Sequence, residues 1–305
     1  MTLRCGFLPR AAALLALCLA AASADAQDLE PRRWTHLPTG VNVLGLGLSW
    51  EKADIFFDPV LEIEDATSEV AAGALVYLRT FGLFGRSARL DFYAPYAVGN
   101  WVGLLRGEPA SVRRHGFADP RVRLSMLLYG GPAESRDVFM SSPKSDTVVG
   151  VAVSVQLPFG EYYGDRLINL GQNRWVIRPQ LGITHTRGRW TGELTGSVFL
   201  FGDNDDFFGG SKLSNDPLWA MQAHLIYSFR PGLWLSASTA YGDGADAEID
   251  GRDRALRSEN WLSSLTVGVP VGKGQGLKLS WVRKRTRNVF NADSDSLVVA
   301  WTLMY

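Results

Sequence analysis

Apolar and polar side chains alternate with a period of two along much of this chain, most plainly in its last ten residues. One face of that segment carries Leu297, Val299, Trp301, Leu303 and Tyr305, with an aromatic residue at its end. Because successive side chains of a β-strand point to opposite faces, this period predicts a strand whose two faces meet different surroundings. A terminal strand of this kind is typical of proteins assembled into the bacterial outer membrane.

Similar segments of about ten residues recur along the chain, separated by turns rich in Gly, Asp, Asn and Pro. The predicted strands are Gly40–Trp50, Val70–Thr80, Ser87–Tyr96, Arg121–Tyr129, Thr147–Phe159, Trp175–Thr186, Trp190–Phe201, Leu218–Phe229, Leu233–Tyr241, Trp261–Val269, Leu277–Val282 and Leu297–Tyr305. Strands of about 9–11 residues with one apolar face have the length that a membrane-spanning barrel requires.

The links between the predicted strands alternate in length. Those after even-numbered strands are short, as at Arg187–Arg189 and Arg230–Gly232, with Gly130–Asp146 as the exception. Those after odd-numbered strands are long, as at Ala97–Pro120 and Gly242–Asn260. Short periplasmic turns and long external loops distinguish outer-membrane barrels. We therefore predict an all-β fold, a transmembrane antiparallel up-and-down β-barrel of about twelve strands, over residues 40–305.

The first 26 residues have the features of a cleaved signal peptide. Arg4 and Arg10 give a basic start, and the apolar run Ala11–Ala22 is too short to span a bilayer. Ala24-Asp25-Ala26 matches the small-x-small pattern that precedes cleavage. We predict cleavage before Gln27, a periplasmic N-terminal segment over residues 27–39, and export to the outer membrane of a Gram-negative bacterium.

Charge and cysteine content narrow the function classes. The chain has 31 basic and 31 acidic residues, and removal of the leader with its two arginines and one aspartate leaves 29 and 30. This balance argues against nucleic-acid binding, which needs a basic excess or patch. Both cysteines, Cys5 and Cys18, lie in the leader, so the mature chain has no thiol chemistry. A soluble periplasmic β-protein is the alternative that composition leaves open.

Aromatic residues near strand ends support the membrane interpretation. Trp and Tyr favour the headgroup level because each combines an apolar body with a polar group. The predicted lipid-facing girdle consists of Trp175, Trp190, Trp219, Trp261, Trp301 and Tyr305. The alternative is that these residues are core aromatics of a soluble β-fold.

Charged residues opposite the apolar rows are predicted to face the lumen. A charge facing lipid near the midplane would cost about 2–4 kcal/mol, so the inward position is preferred. The predicted lumen-lining residues are Arg79, Arg89, Asp91, Arg121, Arg123, Arg178, Glu193 and His224. They fit either a packed polar network that fills a small barrel or the lining of a conduit for solute.

Evidence for catalysis or metal binding is weak. His36, His115, His185 and His224 have no convincing relation to a serine and an acid, although such sets are defined by geometry and not by sequence position. The acidic run 203–206 could attract a hard cation, but it lacks the Gly and the distal Glu of a dedicated calcium loop. We predict no catalytic residue, no metal site and no cofactor.

Three loop motifs point to a known family. They are Gly116-Phe117-Ala118-Asp119-Pro120-Arg121, Ile168-Asn169-Leu170-Gly171-Gln172-Asn173-Arg174-Trp175 and Asp203-Asn204-Asp205-Asp206-Phe207-Phe208-Gly209-Gly210. Together they resemble the outer-membrane transporter family named after the meta-cleavage pathway of phenol degradation, over nearly all of the mature chain. The resemblance implies a Gram-negative outer-membrane barrel linked to uptake of aromatic or other hydrophobic compounds. It supplies no ligand residues.

These observations predict a passive outer-membrane transporter or channel for small molecules, aromatic or hydrophobic ones among them. The expected partners are outer-membrane lipid and lipopolysaccharide, the barrel assembly machinery through the C-terminal strand, and a small-molecule solute. Two other functions stay open: a structural or ligand-binding barrel with a plugged lumen, and an outer-membrane lipid-modifying enzyme.

Overall fold

The structure, a computed structural model, describes residues 29–56, 62–253, 257–287 and 291–305. The predicted signal peptide and its cleavage site lie outside the described residues. Most of the described chain is antiparallel strand. No helix in these ranges is long and apolar enough to cross a bilayer.

The strands, numbered in chain order, are β1 (Asn42–Ile55), β2 (Ile63–Leu83), β3 (Arg86–Leu105), β4 (Glu108–Phe117), β5 (Arg121–Tyr129), β6 (Thr147–Gln156), β7 (Val176–Arg187), β8 (Trp190–Phe201), β9 (Asn204–Phe207), β10 (Ser211–Asn215), β11 (Leu218–Arg230), β12 (Leu233–Gly244), β13 (Ala247–Ile249), β14 (Arg252–Asp253), β15 (Ser258–Gly272), β16 (Gln275–Thr286) and β17 (Ala292–Met304). A short helix, α1 (Arg136–Ser141), lies between β5 and β6.

Twelve of these strands close into a barrel. Its order is β1-β2-β3-β5-β6-β7-β8-β11-β12-β15-β16-β17, and β17 pairs back onto β1 from Val43 opposite Met304 to Ile55 opposite Ala292. An even number of strands brings both ends of the barrel sequence to one side of the membrane. The predicted fold class is therefore confirmed, and each predicted strand overlaps one barrel strand.

The periplasmic end is built from tight connections. Four links, at residues 84–85, 188–189, 231–232 and 273–274, contain two residues each. The fifth link, residues 130–146, is longer and carries α1. Two-residue hairpin turns fix the register of the strands that they join. The predicted short links and their one exception are thus confirmed.

The extracellular links are less loop-like than the sequence suggested. The predicted loop Ala97–Pro120 is a β-hairpin, in which the upper half of β3 pairs with β4 across the turn Arg106–Gly107. Both turn residues have positive φ, 55° and 78°, which is the geometry of a type I′ turn. β9 and β10 pair with β13 and β14 in a separate four-stranded sheet above the barrel.

The two faces of the barrel wall differ as predicted. Large apolar side chains are exposed on the outside, whereas alternate residues of each strand are buried inside. On β11, Trp219 and Tyr227 are eight residues apart, about 27 Å along a tilted strand at ~3.4 Å per residue. This separation is on the scale of the apolar band of an outer-membrane barrel, about 25 Å.

The predicted girdle residues lie on the outer surface at two levels. Trp175, Trp219 and Trp261 are at the extracellular end and are 42–66% exposed. Trp190 and Tyr305 are at the periplasmic end and are 52% and 63% exposed. Trp301 is half-buried at that same end, where its Nε1 donates a hydrogen bond to Gln275 Oε1 at 3.1 Å.

Candidate functional site in the barrel lumen

The chain that precedes β1 enters the barrel. Arg33 is buried among residues of three different strands: its backbone N donates to Glu193 Oε1 at 3.1 Å, Nη1 to Asp91 Oδ2 at 3.0 Å, and Nη2 to Ser125 Oγ at 2.5 Å. Residues 27–39 are predicted from the sequence to form a periplasmic segment. The structure instead places residues 29–35, which we call the lumen segment, inside the barrel, and Thr39 bonds to Glu134 at the periplasmic mouth.

Trp34 anchors the lumen segment in a slot in the wall. The indole is 1% exposed, packs against Val148, and donates from Nε1 to Thr195 Oγ1 at 2.8 Å. Two glycines make room for it: a β-carbon at Gly182 would lie 1.9 Å from Nε1, and one at Gly150 would lie 2.3 Å from Cε3. The wall is therefore shaped around this one side chain.

Two carboxylates connect four of the lumen arginines. Arg123 donates from Nε to Asp91 Oδ2 at 3.0 Å and from Nη1 to Glu30 Oε2 at 2.8 Å. Arg89 Nε lies 3.5 Å from Asp91 Oδ1, and Arg121 Nη2 lies 3.6 Å from Glu30 Oε1. Glu30 belongs to the lumen segment and Asp91 to β3, so this cluster joins the segment to the wall.

Seven of the eight residues predicted to line the lumen lie on the inner face of the wall, and their role in a solute path stays a prediction. Arg89, Asp91, Arg121, Arg123, Arg178, Glu193 and His224 face the lumen. His224, on β11, is directly opposite Glu193 on β8. Arg178 stacks on Phe199, with its guanidinium carbon 4.3 Å from the ring centroid.

Arg79 is the exception and lies on the outer face of β2. It is exposed and shares that face with Leu75 and Tyr77. The two-residue turn Phe84–Gly85 sets the register of this hairpin so that Arg79 is opposite Leu90, while Arg89 is opposite Thr80. A shift of one residue exchanges the two faces of a strand. The prediction that Arg79 lines the lumen is therefore wrong.

The lumen segment leaves open a cavity of about 810 Å³ on the opposite side of the barrel. Its outer wall comes from β16, β17, β1 and β2, whose inward residues include many small ones. They are Gly45, Gly47, Ser49, Ala72, Ala74, Ser280, Ser296 and Ala300. Since these positions carry little side chain, the interior of the barrel is not filled there.

The cavity is unevenly charged. Of the described residues that line it, seven are basic (Arg32, Arg33, Arg89, Arg121, Arg123, Lys278, Lys284) and three are acidic (Glu30, Glu51, Asp91). The carboxylates of Glu30 and Asp91 are already engaged by arginines. The cavity therefore has an arginine-rich side at β3, β5 and the lumen segment, and a side of mostly small residues on which Lys278, Lys284 and Glu51 are the charged ones.

Sequence reasoning did not identify the residues that the lumen segment contributes. Glu30, Arg32, Arg33 and Trp34 lie in a stretch with no strand periodicity, and Trp234 on β12 was not distinguished from the other tryptophans. One signal was available. An aromatic residue directly after two arginines, close to the first strand, has little reason to stand in a free periplasmic segment.

The four histidines do not form a nucleophile–base pair with serine within the described chain. His36 Nε2 lies 2.9 Å from Pro132 O, and His185 Nδ1 lies 2.8 Å from Thr147 Oγ1. His224 is buried in the wall and neither ring nitrogen has a hydrogen-bond partner among the described residues. This geometry gives no support to the lipid-modifying alternative.

The acidic run 203–206 is engaged within the protein. Lys212 Nζ lies 2.6 Å from Asp203 Oδ2 and 3.4 Å from Asp205 Oδ1. Asn204 is buried and donates to Tyr162 Oη at 2.9 Å. Across the described ranges, no group of three potential ligands could hold a metal ion.

The three motifs that carry the family resemblance meet at the extracellular end of the barrel. Asp119 Oδ1 accepts from Gly160 N at 2.9 Å, and its Oδ2 accepts from Gln172 N at 2.8 Å. Asn204 in turn donates to Gln172 O at 3.2 Å. Arg174 hydrogen-bonds to Asn215, and burial lowers its pKa to about 10. The motifs thus shape the external loops, and of the residues in them only Arg121 also lines the cavity.

Replacing Asp119 with alanine should loosen the loop 157–175 without unfolding the barrel. Two backbone N–H groups and the Gln156 amide would lose their acceptor, and each unsatisfied group costs about 1–3 kcal/mol. We expect faster proteolysis and amide exchange in this loop alone. Asp165→Asn, an exposed position in the same loop, is the matched control. Unchanged exchange at residues 157–175 would contradict this role.

Comparison with known proteins places the fold. The crystal structure of the COG4313 outer membrane channel from Pseudomonas putida F1 aligns with a TM-score of 0.75 at 20% identity, covering 91% of this chain and 100% of that one. The beta domain of the Bordetella autotransporter BrkA (TM-score 0.51, 9% identity, 87% and 100% covered) and the transport unit of AIDA-I from Escherichia coli (0.51, 8%, 97% and 98%) are also similar.

These likenesses show the fold, an outer-membrane β-barrel. No curated protein sequence matches the chain. The model of one sequence family matches residues 61–297, which is more than half of the chain and includes all three motifs. This protein belongs to that family, which is described as "Putative MetA-pathway of phenol degradation".

Proposed function

We propose that this protein is an outer-membrane channel through which small molecules with apolar or aromatic bodies diffuse passively. The observation that carries the proposal is the lumen cavity of about 810 Å³ between a wall rich in small residues and a wall rich in arginine. This volume is within the range of small-molecule sites, about 300–1,000 Å³. The family's description, which refers to phenol degradation, supports aromatic solutes.

The lumen segment supports a second candidate, a ligand-binding barrel with a closed lumen. Arg33 and Trp34 fix that segment to β3, β5 and β8, so it narrows any path along the barrel axis. We propose the channel first because the segment occupies one side of the lumen and leaves the cavity beside β1 and β17. We also propose that export removes residues 1–26 and that assembly in the outer membrane uses the C-terminal strand.

Single-channel recording separates the two candidates. The refolded mature protein would be inserted into planar bilayers, with benzoate and phenol added as blockers. We expect small discrete openings that both aromatics interrupt. A correctly inserted barrel, identified by heat-modifiable mobility on gels, that shows no openings would exclude the channel and favour the ligand-binding barrel.

Replacing both Arg121 and Arg123 with alanine should lower the anion selectivity of the open channel. Both guanidinium groups line the cavity, and removing two positive charges weakens the local attraction for anions. The measurement is the reversal potential in a KCl gradient, together with benzoate flux into liposomes. Arg79→Ala with Arg187→Ala removes two exposed arginines outside the lumen and is the control. Unchanged selectivity and flux would count against the two arginines as lining residues.

A further inference from the structure

Two basic side chains of the cavity have no acidic partner among the residues that the structure describes. Arg32 and Lys278 both line the cavity, and neither forms an ion pair with a described carboxylate. Glu193 acts on Arg32 only at longer range, and its carboxylate already accepts from Arg33 N and Thr184 Oγ1. Each of these cations therefore retains unused capacity to bind an anion.

An aromatic ring connects the two cations. The Arg32 guanidinium carbon lies 5.5 Å from the centroid of the Trp234 ring, within cation–π range. The indole reaches across Gly268, where a β-carbon would lie 2.2 Å from its Nε1. Lys278 is directly opposite Gly268 on the next strand, about 5 Å away at ordinary strand spacing. Arg32, Trp234 and Lys278 thus follow one another around the wall.

The line of cross-strand neighbours that contains Trp234, Gly268 and Lys278 continues into the wall of small residues. Lys278 is opposite Ala300, and Ala300 is opposite Gly47. Both small residues line the cavity, so the space beside Lys278 is bounded by backbone and a methyl group. A flat apolar body can fit against this part of the wall while a charged group contacts the cations.

The backbone at Arg32 is held in an uncommon conformation. Its φ is 67°, a left-handed value that non-glycine residues rarely adopt. Such conformations persist where surrounding contacts fix them, and here Arg33 and Trp34 anchor the chain immediately afterwards. The guanidinium of Arg32 consequently lies over the ring of Trp234 on β12.

We propose that Arg32, Trp234 and Lys278 form a binding subsite for the carboxylate of small aromatic acids, at the periplasmic end of the cavity. A planar guanidinium matches a carboxylate in geometry, and the indole face and the small-residue wall accept the aromatic body. Trp234 is two residues from the periplasmic turn Pro231–Gly232, so the subsite is the last contact before exit. The proposal rests on the proposed function, of which it specifies the solute class.

Equilibrium dialysis of the purified, detergent-folded protein tests the subsite without requiring transport. The probes are benzoate, benzyl alcohol of similar size without charge, and acetate without the ring. We expect benzoate to bind more tightly than either. In Arg32→Gln with Lys278→Gln, the dissociation constant for benzoate should rise at least about tenfold, because charge-assisted hydrogen bonds are lost, while that for benzyl alcohol stays unchanged.

A control variant tests whether the effect depends on where the two charges are removed. Arg230→Gln with Lys273→Gln removes one exposed arginine beside a periplasmic turn and one exposed lysine within another, and it should keep the benzoate affinity of the natural protein. Heat-modifiable mobility on gels verifies that all variants are folded barrels. Equal binding of benzoate and benzyl alcohol, or full benzoate affinity in the Arg32/Lys278 variant, would overturn the subsite.

The outcomes also separate this inference from the proposed function. A benzoate preference that depends on Arg32 and Lys278, in a protein without openings in planar bilayers, would keep the subsite and exclude the channel. Openings that benzoate and phenol interrupt equally, without preferential benzoate binding, would keep the channel and exclude the subsite.

Discussion

Replacing Gly182 with alanine is expected to expel Trp34 from its slot and to widen the lumen. A methyl group at this position would meet the indole at 1.9 Å, which no side-chain rotation of alanine can relieve. Once Trp34 leaves, the lumen segment loses its main apolar anchor, a contribution of about 3–5 kcal/mol for a buried tryptophan. We expect single-channel conductance to rise several-fold in planar bilayers.

The matched control for this prediction is Gly196→Ala. Gly196 is on the neighbouring strand β8, faces outward, and has nothing within 4 Å of an added β-carbon. Its conductance should equal that of the natural protein. Trp34→Ala should itself raise the conductance, and adding Gly182→Ala to it should change nothing more, because the two residues act through one contact. A conductance rise for Gly182→Ala that persists in the Trp34→Ala background would refute the slot mechanism.

Replacing Asp91 with alanine is expected to have the largest effect on stability. Arg33, Arg89 and Arg123 share this carboxylate, which is 7% exposed. Removing one partner from a buried ionic cluster leaves uncompensated charge and costs roughly 3–5 kcal/mol. The free energy of unfolding, measured by guanidinium titration of the refolded protein in lipid vesicles, should fall by that amount.

Asp295 provides the matched comparison. It also binds two arginines, Arg283 at 3.0 Å and Arg285 at 2.9 Å, but on the outer surface. Exposed ion pairs contribute about 0–1 kcal/mol, so Asp295→Ala should lower the free energy of unfolding by less than about 1 kcal/mol. Equal losses for the two variants would show that burial does not distinguish the lumen cluster from a surface pair.

The wall of the barrel could be predicted from the sequence because its two faces meet different media. On β7 and β11, polar and apolar residues alternate regularly, and the inward positions of Arg178 and His224 followed from that alternation. On β2 the rule fails because both rows are apolar. Its lumen row, Ala72 to Leu78 at even positions, lines the cavity. The apolar character of both rows of β2 thus explains why the wrong face was predicted for Arg79 and why this part of the cavity wall is apolar.

The lumen segment could not be predicted by the same reasoning. The side chains of Arg33 and Trp34 donate hydrogen bonds to residues 58 to 161 positions away, and no local pattern encodes such pairings. Gly150 and Gly182 were visible in the sequence, but only the position of Trp34 shows that their lack of side chains makes room for its indole. Tight turns at the outer ends of long strands were likewise missed, since Arg106–Gly107 lies inside a stretch that read as a loop.

The position of Trp34 has a consequence for the order of folding. Its slot is built from β6 and β7, and its hydrogen-bond acceptor Thr195 is 161 residues further along the chain. Contacts between distant parts of a chain form only after the intervening chain has been ordered, which makes them slow. The residues that emerge first from the ribosome in the described chain are therefore among the last to reach their native contacts, so burial of Trp34 reports that the barrel around it is complete.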